Sequence, residues 1–158
     1  MGAVYFYHLT RQPLEAALPK LLEASLARGW LVALRGRSPR YLDWLDQQLW
    51  LGDAAGFLPH GRAGGARDAD QPVLLTTEAT APNGASCVMS VEGAEVSADE
   101  VRALERVCVL FDGGDAEGLE RARAQWRLLT GAGCGAQYWS DESGNWVKKS
   151  EKPEAGAI

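Results

Sequence analysis

The chain has 158 residues, 46% of them hydrophobic, which suits the core of a single domain, and a net charge of −5. Because proteins that grip DNA by neutralising phosphates are usually basic, this charge argues against DNA as a direct ligand. Neither a signal-like start nor an apolar run near the ~18 residues that span a bilayer is visible, so we expect a cytoplasmic protein with no membrane contact.

The first part of the chain predicts two strands, each followed by a helix. The aromatic run from Val4 to Leu9 is typical of a strand, and leucines recur near the helical period from about Leu14 to Arg28. The apolar run from Trp30 to Leu34 predicts a buried strand. Ser38 then caps a second helix, whose first turn tolerates Pro39 because a proline there loses no hydrogen bond.

A glycine-rich stretch from Gly52 to Asp70 follows, and we expect a long loop there that is either functional or disordered. Further strands are predicted at Pro72 to Thr77 and at Ser86 to Val91. The continuous apolar run from Arg106 to Phe111 is typical of a strand buried in a parallel sheet. The turn from Asp112 to Asp115 then leads into an arginine-rich helix.

The last elements complete an alternation of strands and helices. Gly131 and Gly133 are expected to end the arginine-rich helix, and a short strand is predicted from Gln137 to Trp139. This alternation predicts a three-layer α/β/α fold with an open, mostly parallel sheet, similar to nucleotide-binding folds. We expect residues 1–147 to form this single domain and residues 148–158 to form a polar, flexible tail.

Residues suited to catalysis or metal binding are sparse. The three cysteines are widely spaced, as expected of buried thiols in a reducing compartment, and only two histidines are present. The turn from Asp112 to Asp115 has the position of a phosphate-binding loop, but its aspartates would repel a phosphate. We interpret it as a tight turn in which Asp115 caps the next helix. No catalytic residue, metal site or cofactor is predicted.

The arginine-rich helix carries a basic patch. Arg123 and Arg127 lie one helical turn apart on the same side, with Trp126 beside them. These two like charges repel each other, and a bound anion would relieve the repulsion. Trp126 also belongs to an apolar stripe, so it either packs in the core or contacts a ligand. Arg121 points off this side and has the pattern of an ordinary solvated charge.

Eight segments along the chain form a combination that is specific although no single one of them is. They are FYHLT (6–10), RGWLV (28–32), LDQQLW (45–50), FLPHG (57–61), PVLLTT (72–77), RVCVLFDG (106–113), and ARAQWRLL (122–129) with GAGCGAQYW (131–139). In this order, and over almost the whole chain from Val4, they resemble the chi subunit of bacterial DNA polymerase III.

This resemblance implies a non-catalytic accessory subunit that links the single-stranded-DNA-binding protein to the clamp loader and meets DNA only indirectly. Its ligand would be the acidic C-terminal tail of that protein, which ends in aspartates and an apolar residue with a free carboxylate. The family's tail-binding positions fall on Arg123, Trp126 and Arg127, with Phe111 facing them. A second surface, at Trp50 and Phe57, would bind the psi subunit, another clamp-loader subunit or a helicase.

Two other functions stay open at the level of sequence. One is a small nucleotide-binding enzyme that uses the turn between Phe111 and Asp115. The other is direct binding of single-stranded DNA, with bases stacked on Trp50 and Trp126 and phosphates near scattered arginines.

Overall fold

A computed structural model describes residues 3–51, 59–79 and 82–154. These residues form one sheet of eight strands in the order β3-β4-β2-β5-β6-β1-β7-β8, with four α-helices. The elements, in chain order, are β1 (Ala3–Leu9), α1 (Leu14–Ala27), β2 (Val32–Arg35), α2 (Pro39–Trp50), β3 (Gly61–Arg62), β4 (Val73–Thr76), β5 (Cys87–Ser90), α3 (Ala98–Ala103), β6 (Arg106–Asp112), α4 (Ala116–Gly131), β7 (Gly135–Ser140) and β8 (Val147–Lys152).

The predicted fold class is confirmed. Every strand pair is parallel except β7 with β8, and helices cover both faces of the sheet. One core lies between the sheet and helices α1 and α2, with Leu22 and Leu45 at its centre. The other lies between the sheet and helices α3 and α4, with Val101 and Leu129. Since side chains alternate along a strand, the central strands β1, β2, β5 and β6 each supply both cores.

Two helices begin as their sequences predict. The Ser38 side chain accepts a hydrogen bond from the Tyr41 backbone N–H (3.2 Å), and Pro39 occupies the first turn of α2. Asp115 caps α4 by accepting from the Glu117 backbone N–H (3.2 Å). Both caps occupy backbone donors that a helix cannot satisfy internally. No helix in the described ranges is both long enough and apolar enough to cross a membrane.

The expected flexible tail is wrong for its first residues. Residues 147–152 form β8, which pairs antiparallel with β7, so that Ser150 lies opposite Tyr138 and Lys152 opposite Ala136. The sequence VKKSEK has no apolar alternation, and all six residues are exposed. Backbone pairing with β7 holds this strand in place, which a pattern of side chains does not predict.

Candidate functional site

A cavity of about 260 Å³ lies between α4 and the sheet, near the β7–β8 edge. Helix α4 supplies one wall, the sheet supplies an aromatic floor, and β8 closes one side. The lining residues are Phe6, Phe111, Leu119, Ala122, Arg123, Trp126, Arg127, Tyr138 and Ser150. We call this cavity the α4 pocket.

The aromatic floor follows from the register of three neighbouring strands. Phe6 in β1 lies opposite Tyr138 in β7, and Phe111 is the last residue but one of β6, on the other side of β1. Trp126 packs on this floor, with its ring centroid 5.3 Å from that of Phe6 and 6.2 Å from that of Tyr138. Trp126 is half-buried, so it both packs against the core and lines the pocket.

Two exposed guanidinium groups stand at the rim of the α4 pocket. Arg127 lies 3.5 Å from the carboxylate of Glu120, and both side chains are about two-thirds exposed, at 65% and 66%. Such a surface pair contributes roughly 0–1 kcal/mol and exchanges readily for another carboxylate. Within the described part of the chain, no carboxylate lies within 4.0 Å of Arg123. The rim is therefore cationic and open to an anion.

His8 contacts two residues of the aromatic floor, Tyr138 and Phe111, and holds them in position. The hydroxyl of Tyr138 and Nδ1 of His8 form a hydrogen bond of 2.5 Å, and the His8 ring stacks on Phe111 at 5.0 Å. Burial lowers the pKa of His8 and the charge of Arg123 adds to this, whereas three carboxylates oppose it, those of Asp141, Glu142 and Asp112. Burial raises the pKa of Tyr138, so this hydroxyl keeps its proton.

All four residues that the sequence predicted for tail binding line this one pocket: Phe111, Arg123, Trp126 and Arg127. Sequence reasoning did not single out Phe6, Tyr138 or Ser150. The alternation of side chains along each strand could have predicted that Phe6 and Tyr138 face a core. Their contact with each other depends on the register of β1 and β7, which no local pattern in the sequence gives. Arg121 does not line the α4 pocket and lies 3.8 Å from Glu117 instead.

Trp50, one of the two residues predicted for a second surface, lies on the opposite face of the sheet. Trp50 ends α2 and is 53% exposed, with its ring 4.2 Å from that of His60. His60 is buried and its Nε2 lies 3.2 Å from the backbone oxygen of Asp46. Phe57 lies outside the described residues. Trp50 and the α4 pocket are thus separated by the sheet, because α2 packs on one face and α4 on the other.

The turn after β6 has its own carboxylates on its backbone donors. Asp112 accepts from the Gly114 N–H (2.8 Å), and Asp115 accepts from the Glu117 N–H (3.2 Å). These are the donors that a phosphate-binding loop would offer to a phosphate. Among the residues that the structure describes, no three His, Cys, Asp or Glu side chains are grouped closely enough to hold a metal ion.

Fold and pocket together define an α/β protein with a pocket that combines an aromatic floor and a cationic rim. Comparison with known proteins gives the family. Residues 1–137 match the family described as DNA polymerase III chi subunit, HolC, so the chain belongs to this family of replication accessory subunits. A protein of Rickettsia prowazekii (strain Madrid E), named a probable DNA polymerase III subunit chi, is 21% identical over 111 residues, which cover 67% of each chain. The resemblance read from the sequence is thus confirmed, and it implies membership of a DNA polymerase III complex.

Proposed function

We propose that this chain is a non-catalytic adaptor of the DNA polymerase III holoenzyme that binds the acidic C-terminal tail of the single-stranded-DNA-binding protein in the α4 pocket. The observation that supports this most is the meeting of Phe111, Arg123, Trp126 and Arg127 around one cavity. The chain would act in the cytoplasm and meet DNA through its partner, which suits its net charge of −5.

The chemistry of the pocket matches the two ends of such a tail. A guanidinium group pairs bidentately with a carboxylate, and Arg123 has no competing carboxylate within 4.0 Å in the described residues. The apolar terminal side chain would enter the α4 pocket and lie against its aromatic lining, which includes Trp126 and Phe6. Capture of a terminal carboxylate beside an apolar pocket is an established mode of peptide recognition.

A peptide titration tests this proposal. The probe is a peptide of several aspartates followed by a terminal phenylalanine with a free carboxylate, and the same peptide with an amidated end serves as comparison. Arg123→Ala should weaken binding of the free-acid peptide by about 1–3 kcal/mol, because it removes a charged hydrogen bond. Arg121→Ala, on the same helix but outside the pocket, is the matched control and should bind like the wild type.

The Arg127–Glu120 pair offers a second, opposite test. Glu120→Gln frees Arg127 from its carboxylate 3.5 Å away. This change should tighten the peptide by up to about 1 kcal/mol, since a surface pair of this kind is worth no more than that. Equal affinities across Arg123→Ala, Glu120→Gln and the wild type, or equal affinities of the free-acid and amidated peptides, would contradict the proposal.

The link to the clamp loader would use the second surface around Trp50. Its position on the opposite face of the sheet would let both partners bind at once. Trp50→Ala should abolish capture of the psi subunit, another clamp-loader subunit or a helicase while leaving the peptide affinity unchanged. The same separation argues against a single-stranded DNA track through Trp50 and Trp126, because bases stacked on one could not continue directly to the other.

A further inference from the structure

Strand β8 extends the α4 pocket beyond the part of the chain that the family comparison covers. The family match spans residues 1–137, whereas β8 spans Val147–Lys152. Ser150 of β8 lines the pocket directly, next to Tyr138, which lies opposite it in the sheet. A ligand that leaves the pocket on this side therefore meets β8 first.

The outer edge of β8 is open to another strand. β8 is the last strand in the sheet order, so among the described residues one of its sides pairs with β7 and the other has no strand beside it. An edge of this kind presents unpaired backbone N–H and C=O groups along its length. An extended peptide can add to such an edge, gaining main-chain hydrogen bonds while its side chains set specificity.

Charge favours an acidic peptide at this edge. β8 carries Lys148, Lys149 and Lys152 against the single acid Glu151. Lys148 lies 3.0 Å from Glu151 and Lys149 lies 2.5 Å from Glu142, and all four side chains are substantially exposed. Exposed pairs of this kind can be exchanged for the carboxylates of a ligand at little cost.

The end of the α4 pocket near Phe111, away from β8, is acidic. Past Phe111, the segment from the end of β6 to the first turn of α4 carries exposed carboxylates at Asp112, Asp115 and Glu117. An acidic chain would be repelled there and attracted over β8. Lys152 has no carboxylate within 4.0 Å in the described part of the chain, so it is free to meet one from a ligand.

We propose that β8 is a second subsite in which the acidic segment preceding the terminal carboxylate adds to the sheet as a further strand, with its carboxylates on Lys148, Lys149 and Lys152. This inference rests on the proposed function, because it assumes that the terminus of the same peptide occupies the α4 pocket. β8 has six residues, and a peptide strand has the same rise of about 3.3 Å per residue, so pairing along β8 takes about six peptide residues. With about three more residues for the terminus in the α4 pocket, the peptide needs about nine residues or more.

The test compares two peptides of the same terminus. The short probe is the last three or so residues of the free-acid peptide, and the long probe adds about seven Asp and Ser residues before them. The long probe should bind the wild type roughly tenfold more tightly than the short one. Its extra residues contact β8 while its terminus binds the α4 pocket, and two contacts joined in one peptide bind more tightly than one. In Lys148→Gln/Lys149→Gln/Lys152→Gln this advantage should fall to within about twofold, whereas Lys20→Gln on α1 is the matched control and should keep it.

A third peptide separates backbone pairing from charge alone. This peptide is the long probe with prolines at alternate positions, which leaves its carboxylates in place but removes backbone N–H donors. It should therefore bind no more tightly than the short probe. An advantage that survives either the lysine substitutions or the prolines would overturn the β8 subsite. Loss of short-probe binding in Arg123→Ala tests the α4 pocket separately. A dimer of the protein alone that dissociates in the lysine variant would also overturn the proposal, because the edge would then serve a second copy.

Discussion

The ion pair between Arg35 and Glu100 makes a sharp prediction about stability. Arg35 at the end of β2 is only 4% exposed, and its charge is paired with that of Glu100. Its Nη1 and Nη2 donate to the two carboxylate oxygens of Glu100 at 3.0 and 2.6 Å, and also to the backbone oxygens of Glu95 and Ala79. Removal of Glu100 leaves a guanidinium buried without a counter-charge.

The expected magnitude follows from two contacts. Breaking a fully buried pair costs about 3–5 kcal/mol, and the 23% exposure of the Glu100 side chain reduces this to about 2–4. Glu100 also accepts from the Ser97 backbone N–H at 3.0 Å, as one half of the capping box of α3, which contributes about 0.5–1 kcal/mol. Glu100→Ala should therefore destabilise the protein by about 2.5–5 kcal/mol in total.

Urea denaturation followed by tryptophan fluorescence measures this, with the slope m checked for a change in the denatured state. Asp99→Ala is the matched control, because Asp99 is the neighbouring acid on α3 and its side chain is 98% exposed. The control should lose no more than about 1 kcal/mol. Arg35→Met/Glu100→Gln should cost less than Glu100→Ala alone, since it removes the buried charge. If Glu100→Ala lowered the free energy of unfolding no more than Asp99→Ala does, Arg35 would not depend on Glu100 as its buried counter-charge, and this reasoning would be wrong.

The same pair also predicts a loss of stability in acid. Burial alone would raise the pKa of Glu100, but hydrogen bonds from Arg35 and Ser97 outweigh it and hold that pKa below the usual value. A carboxyl group with a lowered folded-state pKa stabilises the protein above its unfolded pKa of about 4.3, and this contribution is lost as pH falls through the folded pKa. Glu100→Gln should therefore flatten the acid limb of the stability curve below about pH 4.3.

Three further changes test the packing and the pH response. Gly113→Ala puts a Cβ into the His8 ring, so it should destabilise by about 1–3 kcal/mol in urea, whereas Gly131→Ala meets no atom within 4 Å and should be neutral or stabilising. Because burial lowers the pKa of His8, its contribution is complete above an unfolded pKa of about 6.5 and is lost as pH falls through the folded pKa. Wild type should thus lose more stability than His8→Phe between about pH 6.5 and 5, measured by urea midpoints. Leu22→Ala empties a fully buried site and should cost about 2–5 kcal/mol.

Periodicity was sufficient for the strands and helices that bury a face. The long apolar strand at Arg106–Asp112 and the amphipathic helices needed no tertiary information. The short helix α3 was not predicted, because it has six residues and its capping glutamate is held by Arg35, 65 positions away in sequence. Strand β8 was missed for a related reason: its stability comes from pairing with β7, and its own side chains are polar and exposed.

The candidate site likewise has one part that the sequence predicts and one part that it does not. Helical spacing alone brings Arg123, Trp126 and Arg127 to one side of α4, so this half of the pocket is visible in the sequence. The floor needs the order β6-β1-β7, which brings Phe111, Phe6 and Tyr138 together from distant parts of the chain. Strand order is a property of the whole fold, and no local pattern encodes it.

The crevice between β2 and β5 explains why an anion should prefer the α4 pocket. In open α/β sheets, ligands commonly bind where neighbouring strands lead to helices on opposite faces, as β2 leads to α2 and β5 to α3. Here the loop after β5 turns through Glu92, which has a φ of +60°, and its carboxylate accepts from the backbone N–H groups of Arg37 and Ser38 at 2.7 and 2.9 Å. An incoming phosphate would have to displace a carboxylate that is tethered to the chain and already satisfied. Among the described residues, Arg123 at the rim of the α4 pocket has no such tethered anion within 4.0 Å, so the anionic ligand that we propose should bind there.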